Sequence, residues 1–309
     1  MGRCTVSLLG SMVVGDARYI LSEDSPLGSL GQVSRHTPLP LSHSSKLSAA
    51  MSTPTTTITP GSWVLVTGAT GYLATHIIAQ FLSRGYKVRG TVRDINRASW
   101  LTSLFKSAHD TGDFELVSVP DIANMDASSF DAAVTDISAI ANVAAITSFD
   151  PDPKKVITPT VQSLIYLLEA ASRSPAVREF VHTSSFLAAT APIPGNTTRV
   201  ERDTYNDDAV AFAWAESTPD TAPMRPSMVY MASKVEAEKA LWRFVEERKP
   251  HFNVNAVSPS TLLGQPMDKR HVVSVPTAWL RHLYEGNTAP LRRLPACKFS
   301  FTLMMIPPL

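Results

Sequence analysis

In Tyr230-Met231-Ala232-Ser233-Lys234 a phenol and an ammonium stand four residues apart, which on a helix puts both on one face. A phenol with a pKa of about 10 is a poor proton donor or acceptor at neutral pH. A neighbouring ammonium stabilises the phenolate and lowers that value, so the pair suits proton transfer to an oxygen. A second group of candidates is His182-Thr183-Ser184-Ser185, at the end of an apolar run. A hydroxyl there could hydrogen-bond the same oxygen and stabilise the charge that builds on it. Taken singly, these are also an ordinary surface pair and an ordinary strand end. Their order along one chain, together with a third motif, points to a site.

That third motif is Val64-Leu65-Val66-Thr67-Gly68-Ala69-Thr70-Gly71-Tyr72-Leu73-Ala74, an apolar run leading through a glycine-containing turn into a helical period. Gly68 can take the tight turn, Gly71 lets the backbone approach a pyrophosphate, and Ala74 permits close packing of helix on strand. The free N–H groups and the positive end of the helix dipole then stabilise the anion, which implies dinucleotide binding. The next strand ends in Thr91-Val92-Arg93-Asp94, where such a site reads the adenosine ribose. A carboxylate there would accept from a 2′-hydroxyl, whereas a guanidinium pairs with a 2′-phosphate. With Arg93 and Arg97 four residues apart and Asp94 placed to cap the following turn, the balance favours NADPH over NADH.

The elements that must position these groups follow from apolar periodicity. Strands are expected at Trp63 to Val66, Lys87 to Val92, Phe114 to Val119, Ile137 to Ala144, Glu179 to Thr183 and Phe252 to Val257. Helices are expected at Tyr72 to Ser83, Val156 to Ser172 and Val229 to Glu247, with a long irregular segment reaching Pro226. Alternation of this kind gives an α/β, Rossmann-like doubly wound parallel sheet, with ligands beyond the carboxyl ends of the strands. Residues 1–60 read as a disordered leader rich in Ser, Thr and Pro, of which residues 1–50 look dispensable because Met51 could start a shorter product. Residues 61–265 form the dinucleotide-binding domain carrying the catalytic groups.

Composition narrows the function further. The 309 residues carry 28 Lys and Arg against 27 Asp and Glu, so no global field recruits nucleic acid or an anionic membrane. No apolar stretch is long enough to span a bilayer. Cys4 and Cys297 lack the companions of a zinc site or disulfide framework, so no metal is expected and a reducing, cytoplasmic setting is.

The succession TGATGYLA, VRD, NVAA (Asn142 to Ala145), HTSS, YMASK and NAVSPS resembles the extended short-chain dehydrogenase/reductases, the NAD(P)-dependent epimerase/dehydratase family. Within it the similarity is to the dihydroflavonol-reductase-like group of fungal aldehyde and ketone reductases, and it runs from about Gly61 to Pro295. The resemblance implies a catalytic triad of Ser185, Tyr230 and Lys234. Tyr230 would donate the proton, Ser185 would polarise the carbonyl, and Lys234 would also hold the nicotinamide ribose. It implies that Gly68, Thr70, Gly71, Tyr72 and Leu73 hold the pyrophosphate of NADP, with Arg93 and Arg97 on the 2′-phosphate. Asp121 and Ile122 would flank the adenine, and Pro259, Ser260, Thr261 and Leu262 would contact the nicotinamide end. The choice of Ser185 over Ser184 follows the family register.

Two departures stand out. Gln162-Ser163 replaces the Asn-Gly common in the family, and after Gly286 the sequence leaves the family pattern, so residues 266–309 read as a remnant of a truncated substrate lobe. The expected activity is NADPH-dependent reduction of an aldehyde or ketone, a small-molecule carbonyl. The alternatives are a nucleotide-sugar epimerase or dehydratase, and a dinucleotide-binding protein without turnover.

Overall fold

The computed structural model describes residues 58–119, 125–191, 199–201, 203–273, 275–287 and 301–303. Six strands form one parallel sheet: β1 (Trp63–Val66), β2 (Lys87–Val92), β3 (Phe114–Ser118), β4 (Ile137–Asn142), β5 (Glu179–Thr183) and β6 (Asn253–Val257). Their spatial order is β3-β2-β1-β4-β5-β6, so the direction of winding reverses between β1 and β4. That switch point opens a crevice at the carboxyl ends of the strands, the place where doubly wound sheets bind ligands.

Both faces of the sheet are covered. Helix α1 (Tyr72–Ser83) packs with Val64, Val66 and Val88 into one core, and α2 (Pro153–Arg173) joins Leu65, Ile140 and Phe180 in another. The central strands bury almost every residue, as a sheet covered on both faces requires. Ile58 packs on the first core, and Gly61 donates to the carbonyl of Gly85.

Several expected boundaries are corrected. β3 ends at Ser118 and β4 at Asn142, because the chain beyond β4 turns to bring Val143 and Ala144 onto the Thr67 hydroxyl. β6 begins at Asn253, since Phe252 turns into the core beside Phe180. α2 starts three residues early, with Asp152 capping the Lys154 amide and Pro153 in the first turn. The segment expected to be irregular up to Pro226 contains α3 (Asp207–Trp214), capped by the Asn206 side chain on Ala209. Helix α4 (Arg225–Arg248) takes in Pro226 near its start, where a missing N–H costs nothing. The Arg225 guanidinium bonds the carbonyls of Pro151, Ala213 and Ala215, fixing the entry of α4 against α3 and the loop before α2. A further strand, β7 (Thr261–Leu263), pairs with β8 (Phe301–Leu303), and α5 (Val275–Tyr284) follows β7. No helix among the described residues is long and apolar enough to cross a membrane.

Candidate active site

The turn between β1 and α1 is shaped by backbone rather than charge. Gly68 has φ +66°, a conformation that favours glycine, and a Cβ there would also lie 3.1 Å from both Cα and Cβ of Ala144, a tight approach. Thr91, near the end of β2, accepts the Gly68 amide on its hydroxyl at 3.0 Å and the Ala69 amide on its carbonyl at 2.9 Å. Helix α1 has Gly71 at its N-cap, with no side-chain cap and no acidic residue in its first turn. Thr70 and Gly71 are exposed. A helix N-terminus left uncapped and free of carboxylates fits a phosphate group.

Tyr72 and Leu73 open α1, and the Tyr72 hydroxyl donates to the Gly264 carbonyl at 2.9 Å. Its phenol is therefore tied to the chain after β7, and only its backbone remains for the turn. His271 donates from Nε2 to the Thr70 carbonyl at 2.9 Å, a second tie from the same segment. Arg93 and Arg97 are exposed beyond β2, and Asp94 accepts the Arg97 amide at 3.1 Å, the cap expected of it. Asp121 and Ile122 lie outside the described residues. Pro259 accepts the Phe186 amide at 2.9 Å, which sets the stretch from Pro259 through Ser260 to β7 beside the end of β5. Thr261 and Leu262 lie within β7 itself, half-buried.

On the other side of the switch point, the site is built from buried side chains. Lys234 is 5% exposed and donates from Nζ to the Thr183 carbonyl, the last of β5, at 3.2 Å. Removal from water pushes its ammonium down to about 8, although the Glu238 carboxylate opposes the shift. Ser184 donates its hydroxyl to Glu238 Oε2 at 2.5 Å. The Ser185 hydroxyl accepts the Leu187 amide at 3.2 Å and keeps its own proton to donate. Tyr230 sits one turn before Lys234, with Phe149 tilted against its ring at 5.1 Å between centroids. Burial raises the Tyr230 phenol above its ordinary value. The direction is opposite to the lowering expected from the neighbouring ammonium, and loss of solvent is its cause.

Beneath these groups runs a polar chain that bridges three strand ends. The Thr67 hydroxyl donates to Asn142 Oδ1 at 2.8 Å, and Asn142 Nδ2 donates to His182 Nδ1 at 3.1 Å. Because that nitrogen accepts, the proton of the neutral ring is on Nε2. Complete burial, with the Lys234 charge adding to it, pushes His182 down to about 3, so the imidazole is neutral at physiological pH.

The match of residues 64–296 to the model of the NAD dependent epimerase/dehydratase family covers most of the chain. The chain belongs to that family. Among curated relatives of this family member, the NAD-dependent epimerase/dehydratase terH of Aspergillus terreus is 40% identical over 228 residues, covering 74% of this chain and 66% of the relative. Aldehyde reductase 2 of Sporidiobolus salmonicolor is 35% identical over 230 residues, with the same coverages. The chain therefore spans just under two thirds of the length of these relatives. Among solved structures, the yeast methylglyoxal/isovaleraldehyde reductase Gre2 complexed with NADPH matches with a TM-score of 0.57 at 28% identity, covering 68% of this chain and 61% of Gre2.

Four residues of this family member escaped the sequence reading. Glu238 continues the four-residue spacing of Tyr230 and Lys234, a signal that was available. Asn142 and His182 lie inside quoted motifs, but their contact spans 40 positions and nothing local announces it. Phe149, with φ +52° and its ring on Tyr230, carries no sequence signal at all.

Proposed function

We propose that this chain is an NADPH-dependent reductase of aldehydes or ketones. The observation that carries this reading is the end of β5 against α4: the Ser184 proton is committed to Glu238, the Ser185 proton is free to donate, and Lys234 is seated one turn from Tyr230. Tyr230 gives its proton to the carbonyl oxygen, and its raised pKa keeps that proton in place until charge develops there. Ser185 hydrogen-bonds the same oxygen, and the Lys234 ammonium stabilises the phenolate left behind. Bound NADPH supplies the hydride for the carbonyl carbon.

The other site residues take roles consistent with their places. The turn Gly68, Thr70, Gly71 and the Tyr72 and Leu73 backbone cradle the pyrophosphate, and the exposed Arg93 and Arg97 pair with the 2′-phosphate. Lys234 also holds the nicotinamide ribose. Pro259 to Leu262, beside the strand end that carries Ser185, border the nicotinamide. Residues 61–265 make the cofactor and catalytic unit, and residues 266–309 contribute to the substrate side. The names of Aldehyde reductase 2 and of the NADPH-bound Gre2 support both cofactor and substrate class. A reducing, cytoplasmic setting fits the two cysteines.

The test is carbonyl-dependent oxidation of NADPH by the purified chain across aromatic aldehydes and β-keto esters, beside direct titrations with NADPH and NADH. Turnover with preference for NADPH is expected. Binding of NADPH with no turnover on any carbonyl would instead indicate a dinucleotide-binding protein without chemistry.

A further inference from the structure

Glu238 is a carboxylate only 7% exposed, in the middle of a helix whose buried face is otherwise mostly alanine and aliphatic. An ionised carboxylate in such a place is costly unless compensated. Its surroundings supply the compensation. Oε2 accepts the Ser184 hydroxyl at 2.5 Å, and Oε1 accepts the Trp242 indole N–H at 3.4 Å. Lys234 lies one turn earlier on the same helix and feels the negative charge, which favours its ammonium. Tyr230, Lys234, Glu238 and Trp242 thus form a single stripe at four-residue intervals along α4.

The stripe meets β5 at two points. Thr183 accepts from Lys234 and Ser184 donates to Glu238, so two consecutive strand residues are held by two residues one helical turn apart. The next residue in the chain is Ser185. Any sliding of α4 along β5 would have to break both contacts together. Such a two-point attachment fixes the height of Tyr230 relative to Ser185, a separation on which transfer to a shared oxygen depends. The titratable groups facing the Lys234 ammonium are Glu238 from its own helix and His182, a neutral ring, from β5. Glu238 is therefore the negative charge that balances the buried ammonium.

We infer that Glu238 is a positioning residue of this site, which pins the Ser184 end of β5 to the Tyr230–Lys234 face of α4 and keeps the buried Lys234 in its charged form. The inference rests on the reductase reading for its kinetic consequence but not for its structural one. Glu238 touches no reacting atom. It acts through Ser184 and Lys234.

Two measurements test it on the full chain with Glu238→Gln, which keeps an acceptor for Ser184 while removing the charge and the second acceptor oxygen that faces Trp242. In the pH profile of carbonyl-dependent NADPH oxidation, loss of the carboxylate lets Lys234 lose its proton earlier. The alkaline fall in rate is then expected to begin about one pH unit lower, a loss of about 10-fold on the alkaline limb with NADPH binding at pH 7 largely kept. A role limited to packing would lower the rate equally at every pH and leave the limb in place. The second measurement needs no activity: thermal unfolding of the wild type, Glu238→Gln, Lys234→Met and the double variant. Glu238→Gln is expected to lower Tm in the presence of Lys234 and to leave it unchanged or raise it in the Lys234→Met background, where the carboxylate has lost its counter-charge. An unmoved alkaline limb, or equal losses of Tm in both backgrounds, would overturn the inference. If the wild type shows no carbonyl-dependent oxidation, the reductase reading fails by itself and the unfolding comparison decides the role of Glu238.

Discussion

The two halves of the sheet present their polar groups at the strand ends by opposite means. In the β1 to β3 half the work is done by backbone: a glycine at φ +66°, an uncapped helix start, and a threonine that holds two turn amides. Its arginines are exposed and need no burial. In the β4 to β6 half the site consists of side chains taken out of water: Lys234, Glu238, His182, Asn142 and Ser184 are each under 10% exposed. Backbone recognition tolerates solvent and suits a ligand that comes and goes. Buried ionisable groups hold a fixed geometry but bind their function to pH and to intact packing.

The difference predicts that damage to the two halves will separate in experiments. The largest effect is expected for Tyr230→Phe, which should lower carbonyl-dependent NADPH oxidation by about 10²- to 10⁴-fold, the usual worth of a positioned proton donor. A direct titration should show NADPH affinity nearly unchanged. A parallel loss of affinity would erase the separation.

Arg93→Ala should act the other way. It is expected to weaken NADPH by about 10- to 100-fold, as loss of charge-assisted bonds to a phosphate does, with little change for NADH. Equal losses for both cofactors would remove Arg93 from the 2′-phosphate.

Gly90→Ala sharpens the backbone side. An added Cβ would come within 2.7 Å of the Ala69 Cβ in the turn after β1 and 3.3 Å of Leu116. Overpacking of this kind costs about 1–3 kcal/mol, so Tm should fall. NADPH affinity should fall with it, because Ala69 belongs to the turn proposed to meet the phosphates. Loss of Tm with intact NADPH affinity would mean that the turn adjusts independently of β2.

A further prediction concerns pH. Burial holds His182 at about 3, whereas the unfolded chain takes up a proton near the ordinary value of about 6.5. The folded pKa is the lower one, so the unfolded state binds more protons between these values. Stability from this group is present above about 6.5 and is lost progressively as pH falls toward 3. Denaturant titrations of His182→Phe should show a flatter acid dependence than the wild type. Equal slopes would place the acid sensitivity elsewhere.

The backbone half was largely legible in the sequence. A glycine turn between an apolar strand and an amphipathic helix is a local pattern, and the structure forms that strand, turn and helix, with Gly68 at positive φ and Gly71 at the N-cap of α1. The side-chain half was legible only where its members are local, as Tyr230 and Lys234 are. Glu238 binds a serine 54 positions away, and His182 binds Asn142 across two strands, so their meaning exists only after the sheet has formed. Helix α3 was missed for a different reason. Its eight residues are too few for a period to emerge, and the Asn206-Asp207-Asp208 cap was its one local sign.

The most direct test of the account is to supply NADPH carrying deuterium at the transferable position, together with an aldehyde, and to analyse the product by mass spectrometry. The account predicts an alcohol with one deuterium on the former carbonyl carbon, formed by the wild type and all but lost in Tyr230→Phe. Unlabelled aldehyde recovered from wild-type protein that demonstrably binds NADPH would contradict it.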